Sequence, residues 1–368
     1  MERTGVACLV APTLPSGTPA RDGNGAYLLG FVPRESWGVG VLMTAGESSV
    51  SLEAPTDAVQ AELWFDDVQP AHGGIAQTIV DLLRSKGISS GHVGLTDLGD
   101  EQGLATATIR VLTARLPGVE WVPFSDQLRA IRAIKSPEEL ALLSGAAQAL
   151  ERSFDRVAEL ARPRASELTT WAAAVAEQVR LGCDPPLRAR WGSGARPELL
   201  ARPTHGTLAR GMMILTDFEA ILGGYGARGS QAFAVEACDP IYVDLFAWTV
   251  ELWRHLFERI RPGVVVADLQ RAAETLASEL MPTNSHFASP AASVSLDGCG
   301  LGDDAPSSGA LPDEPLAPGM VFALDVELRV VGAGRPYRAA WADPVTITAT
   351  GAARLGTREP SLRIIGGG

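Results

Sequence analysis

Two carboxylates, an arginine and a serine can share one face of a single hairpin in ILTDFEAILGGYGARGSQ (214–231). A tight turn at Gly223-Gly224 sets Leu222 opposite Tyr225. Counting outward pairs Glu219 with Arg228 and Asp217 with Ser230, and period-two alternation puts all four on one side. The Arg228 guanidinium, always protonated, offers a planar fork that binds a substrate carboxylate or closes an ion pair with Asp217; both uses stay open. Asp325 and Glu327 alternate on a second strand. Carboxylates on one face repel unless partnered, so one can hold a proton at neutral pH and serve as acid or base. Pairing with Arg228, Arg335 or Arg338 is the alternative. Cys299 is a nucleophile when deprotonated, yet its acidic sequence neighbours favour a passive, small apolar role. His205, on a loop before the hairpin, has the pKa for acid–base work, although an exposed histidine needs no function. Trp341 suits a small, aromatic-lined pocket. The candidate catalytic groups are therefore Asp217, Glu219, Asp325, Glu327, Cys299 and His205, and the candidate substrate-binding groups are Arg228, Ser230 and Trp341.

These residues need a scaffold. GVACLVAP (5–12), WGVGVLMTA (37–45) and HVGLTDL (92–98) predict strands, and IAQTIVDLLRSKG (75–87) and GLATATIRVLTARLPG (103–118) predict helices ending at Gly. This describes an α/β domain. At KSPEEL, Ser136, Pro137 and Glu139 form a capping box that opens a long helix, which places a boundary near Lys135: an N-terminal domain over 1–135 and a C-terminal one over 136–368. SELTTWAAAVAEQVRLG (166–182) predicts a second helix, and LFERIRPGVVVADLQRAAETLASEL (256–280) two more around a Pro-Gly break. LDGCGLGDDAPSSGALPDEPLAPG (296–319) has loop composition.

Composition narrows the class. The 368 residues suffice for two domains, and a net charge of −12 without a basic patch argues against a nucleic-acid partner. Four scattered cysteines suggest reduced thiols in a cytoplasm. No signal-peptide pattern opens the chain and no apolar run is long enough to span a membrane.

GMMILTDFEAILGGYGARGSQAFAVE (211–236), DGCGLGDDAP, GMVFALDVEL and AAWADPVTIT together resemble the creatinase, prolidase and aminopeptidase P family, from about Ala26 to Gly351. AYLLGF (26–31) resembles a segment of that family's N-terminal domain. The resemblance implies a creatinase-like α/β domain followed by a C-terminal pita-bread domain, and a homodimer. It also implies two Asp, one His and two Glu around a pair of divalent metal ions. Only Asp217 matches; the other positions read Arg228, Cys299, Asp325 and Ala342. Arg228 would repel a second cation, so the expectation is no metal and no cofactor, with a mononuclear site of Asp217, Asp325 and Cys299 as the alternative. The position of the metal-free members' histidine falls near Leu200 or Ala201 in one alignment and on His205 in another, and their glutamate after the hairpin reads Ser230. Two function classes follow: a metal-independent enzyme acting on a small amino-acid-like or amide-containing molecule, or an inactive homologue serving as a binding or scaffold protein.

Overall fold

The structure is a computed structural model that describes residues 5–13, 23–30, 37–45, 47–53, 63–65, 67–96, 104–186, 188–199, 202–280, 287–301, 314–332 and 334–366, without the side chains of 287–290. His286, which like His205 could activate Cys299 as a nucleophile if it came near, lies outside the described residues, as do Phe31 and most of the loop after Leu301. The chain divides into two compact units, Met1–Arg132 and Ala133–Gly368, whereas the sequence placed the boundary near Lys135.

In the first unit, β1 (Cys8–Thr13), α1 (Gly23–Leu29), β2 (Gly38–Met43), β3 (Ser49–Leu52), β4 (Asp67–Pro70), α2 (Ile75–Ser85), β5 (Ser90–Leu95), α3 (Thr106–Arg115), β6 (Gly118–Pro123) and α4 (Ser125–Ala133) follow in order. The six strands form one mixed sheet, β4-β3-β2-β1-β5-β6. Val10, Val39, Val41, Val93 and Leu95 pack against Ile79, Leu82, Leu83 and Leu112 of α2 and α3. The three strands and two helices read from the sequence all occur here.

The second unit carries the candidate residues. Its helices are α5 (Pro137–Leu160), α6 (Glu167–Arg180), α7 (Pro240–Arg259) and α8 (Val266–Leu280). The capping box is present: the Ser136 hydroxyl accepts from Glu139 N at 3.2 Å, and the Glu139 carboxylate accepts from Ser136 N at 2.7 Å. The strands are β7 (Ala189–Gly194), β8 (Met213–Leu222), β9 (Tyr225–Val235), β10 (Phe287–Gly298), β11 (Val321–Gly332), β12 (Arg335–Ile347), β13 (Ala352–Arg354) and β14 (Arg363–Ile365). They form two four-stranded sheets, β14-β9-β8-β7 and β10-β11-β12-β13.

Alternation decides which side chains meet helices. Ile214, Phe218, Ala220, Phe233 and Val235 pack on Leu150, Phe154 and Val157 of α5 and Ala174 of α6. Leu324, Val326, Leu328 and Trp341 pack on Leu245, Phe246 and Trp253 of α7 and Leu269 of α8. The intervening residues on each strand point to the opposite face. The sheets approach closely where β9 meets β12: a Cβ on Gly229 would lie 3.1 Å from the Ala342 carbonyl oxygen.

Candidate functional site

The β8–β9 hairpin has the register read from its sequence. Gly223 (φ +57°) and Gly224 (φ +84°) make the turn, a backbone shape that glycine adopts without penalty. Leu222 pairs with Tyr225, Glu219 with Arg228 and Asp217 with Ser230. β7 extends the same face, with Arg190 opposite Asp217. On the second sheet, Ser295 and Ala342 flank Asp325.

A pocket of about 250 Å³ opens between these strands, at the small end for ligand sites. Its walls include Asp217, Arg228, Ser230 and Asp325 from the candidate set, with Arg188, Arg190, Ser295, Asp297 and Arg338 added by the structure. Arg228 is its electrostatic centre. Nε donates to Asp217 Oδ1 at 2.7 Å, Nη2 donates to Asp325 Oδ2 at 2.7 Å, and Nη1 meets Asp297 Oδ2. Arg188 closes the other side of Asp217, with Nε donating to Oδ2 at 2.8 Å. Arg190 stands farther off, 3.8 Å from that same oxygen.

Protonation follows from this crowding. Burial pushes the Asp217 carboxyl up, but Arg228 and Arg188 outweigh it and hold the group below the usual aspartate range. Asp325 moves the other way: burial raises it, against the pull of Arg228 and with added repulsion from Asp217. Arg228 is desolvated, yet Asp217 and Asp325 keep it protonated. The positive charge of Arg188, followed by burial, lowers the pKa of Arg190.

Behind the pocket lies a second arginine that the sequence did not single out. Arg358 is buried between the rings of Trp341 and Phe154, with Cζ 4.1 and 4.6 Å from their centroids. It donates to Ser230 O at 2.6 Å, Ala342 O at 3.0 Å and Asp343 Oδ1 at 3.0 Å, tying β9 to β12. The Ser230 hydroxyl accepts from Ala342 N at 2.7 Å, so its oxygen is partly committed to the same junction.

The remaining candidates do not line the pocket. Trp341 pairs with Val326 and therefore shares its helix-facing side; it is fully buried, which corrects the expectation of an aromatic pocket wall. Glu327 is drawn into a pair with Arg338, one of the partners raised from its sequence, and into another with Arg329, which was not among them. Cys299 is fully buried beside Leu143, Val321 and Ala323, and burial pushes its thiol up to about 12, which leaves it protonated and poorly nucleophilic. Glu219 is half-buried away from the pocket; among the described residues its carboxylate has no hydrogen-bond partner, and burial raises its pKa. His205 is exposed on its loop.

The donor set does not fit a pair of divalent metal ions. Three aspartates converge, but on a guanidinium; Cys299 is sealed off, and Ala342 has no donor atom. Among the described residues, no group of three or more His, Cys, Asp or Glu is arranged to hold a metal ion.

A model of metallopeptidase family M24 matches residues 141–349. The probable dipeptidase PepE of Mycobacterium bovis is 25% identical over 331 residues, covering 81% of this chain and 84% of that protein. Among solved structures, X-Pro aminopeptidase from Thermotoga maritima is similar with a TM-score of 0.79 at 17% identity, covering 99% of both chains. Dipeptidase PepE from Mycobacterium ulcerans gives 0.73 at 20% identity, covering 99% of this chain and 94% of that one. At such identities the structural likeness shows the fold, which is the pita-bread architecture expected from the sequence. With more than half of its residues matched by the family model, the chain belongs to metallopeptidase family M24, the family of creatinase, prolidase and aminopeptidase P.

Proposed function

We propose that this chain is a metal-independent member of the family, degenerate at the metal positions, that acts on a small amino-acid-like or amide-containing molecule. The supporting observation is Arg228, whose guanidinium contacts Asp217, Asp297 and Asp325 together. A fixed cation among carboxylates supplies the electrostatic field of the pocket without an exchangeable ion. Asp325, pushed up by burial, is the group to hold and release a proton. The Ser295 hydroxyl lines the same pocket and can orient a ligand amide. Proton transfer at such a site suits C–N hydrolysis, elimination, isomerisation or cyclisation.

The arginine pairing of Asp217, Asp297 and Asp325 favours a second reading, an inactive homologue that binds without turnover. In either reading we propose a homodimer in the cytoplasm, without nucleic-acid or membrane partners. The four cysteines are free thiols, which supports a reducing compartment. Among the described residues, no helix is long and apolar enough to cross a membrane.

The test is a thermal-shift screen of amides, N-acyl amino acids and lactams in the presence of a chelator, followed by mass spectrometry of the ligands that stabilise the fold. Stabilisation with conversion supports the enzyme. Stabilisation without conversion supports the binding protein. Conversion that depends on an added divalent metal contradicts the proposal.

A further inference from the structure

The pocket has a direction as well as a polarity. Arg188 and Arg190 come from the segment leading into and along β7, while Asp297 and Asp325 come from β10 and β11 of the other sheet. Arg228 lies between them with its three nitrogens directed at three different aspartates. It is already committed and makes a poor clamp for an incoming carboxylate.

Arg190 differs. Its side chain is 49% exposed, and its nearest carboxylate oxygen, Asp217 Oδ2, lies 3.8 Å away, beyond hydrogen-bond distance. Arg188 already approaches that oxygen at 2.7 Å. Among the described residues, no hydrogen bond engages the Arg190 guanidinium. The opposite wall has the reverse imbalance: Asp297 and Asp325 share a single guanidinium that also serves Asp217, and the Asp297 side chain remains 36% exposed. Arg338 adds little, since Glu327 matches it. One wall therefore offers unspent positive charge and the other unspent negative charge.

We infer that the pocket receives a zwitterion, with the ligand carboxylate against Arg190 and Arg188 and the ligand ammonium group against Asp297 and Asp325. This rests on the pocket being a small-molecule site, and it replaces Arg228 with Arg190 as the carboxylate receptor. A simple anion would meet the repulsion of Asp297 and Asp325, and a simple cation that of Arg190. A ligand bearing both charges satisfies both walls with charge-assisted hydrogen bonds, in one orientation only. The volume, about 250 Å³, suits a molecule the size of an amino acid.

Four ligands separate the contributions: alanine, N-acetylalanine, alaninamide and N-acetylalaninamide, titrated calorimetrically into the full chain in chelator. Blocking either charge should weaken binding about tenfold or more relative to alanine. Arg190→Ala should weaken alanine and N-acetylalanine by a similar factor and leave alaninamide unchanged. Asp297→Asn should weaken alanine and alaninamide and spare N-acetylalanine. Both side chains are partly exposed, and an unchanged melting temperature confirms that each variant folds. N-acetylalaninamide binding as tightly as alanine overturns the zwitterion while leaving the small-molecule pocket intact. Arg190→Ala weakening all four ligands equally overturns its assignment as the carboxylate receptor. If none of the four binds the unaltered chain, the zwitterion inference fails, and the small-molecule pocket is then decided by the wider thermal-shift screen.

Discussion

Replacing Arg228 by alanine removes the charge that holds the two inner faces together. The side chain is only 9% exposed, so solvent does little to screen its loss. Asp217 retains Arg188, whereas Asp325 and Asp297 lose the one guanidinium that meets them among the described residues. Breaking a buried ion pair from one side costs about 3–5 kcal/mol. For a unit of this size each kcal/mol lowers the melting temperature by about 2–4 °C, so the expected fall is roughly 6–20 °C. The pH dependence identifies the cause. Without Arg228, Asp325 loses the pull that opposes its burial and titrates still further above the unfolded value of about 3.9, so the variant loses more stability than the parent as pH rises through that range. In the unaltered chain Arg228 and Arg188 together hold Asp217 low, a contribution present above the unfolded value and lost as pH falls through the folded one; the variant keeps only the part due to Arg188. The deficit should therefore be largest at neutral pH and shrink towards about pH 4. Arg228→Lys, which keeps the charge but loses the fork, should fall in between. Differential scanning calorimetry across this range provides the measurement. An Arg228→Ala melting temperature equal to the parent's at neutral pH, or a deficit that does not change with pH, would refute the reasoning.

Arg228→Ala frees Asp297 and Asp325 while Asp217 stays with Arg188, and two carboxylates can hold a hydrated magnesium ion, so magnesium should raise the melting temperature of that variant and leave the parent unmoved; equal shifts in both would contradict the idea that the guanidinium stands in place of a cation. Glu219 is raised by burial, so in the folded chain its ionisation costs stability as pH rises through the window above its unfolded value of about 4.3. Glu219→Gln should then be stabilising at neutral pH, with the gain fading in acid, and a destabilised variant in chemical denaturation would mean that its carboxylate has a partner. Light scattering at micromolar concentration should give the mass of a homodimer; a monomer would reject that part of the proposal.

The hairpin could be read from the sequence because Gly223-Gly224 pins the turn, and a pinned turn fixes every pair outward from it. What remained hidden was which partner the resulting face would meet. Glu219 lies opposite Arg228 on the hairpin, yet Arg228 bonds to Asp217 diagonally and reaches Asp297 and Asp325 on the other sheet, where single-strand alternation gives no information. Arg188 and Arg190 are not legible as site residues because β7 is short and follows Pro185-Pro186 without an apolar rhythm. Its signal was the alternation Arg-Ala-Arg running into buried Trp191. Trp341 was misplaced by one face: it lies next to the Ala342 position but points the other way, towards the helices. Arg358 lies 128 residues from Ser230 of β9, one of the two strands it joins, and nothing local marks it as buried.

Elemental analysis of the purified protein by inductively coupled plasma mass spectrometry bears most directly on whether Arg228 has taken over the role of the metals. The donor set centred on its guanidinium predicts no stoichiometric zinc, manganese or iron after purification from metal-replete cells. One or more tightly held ions per chain would contradict it.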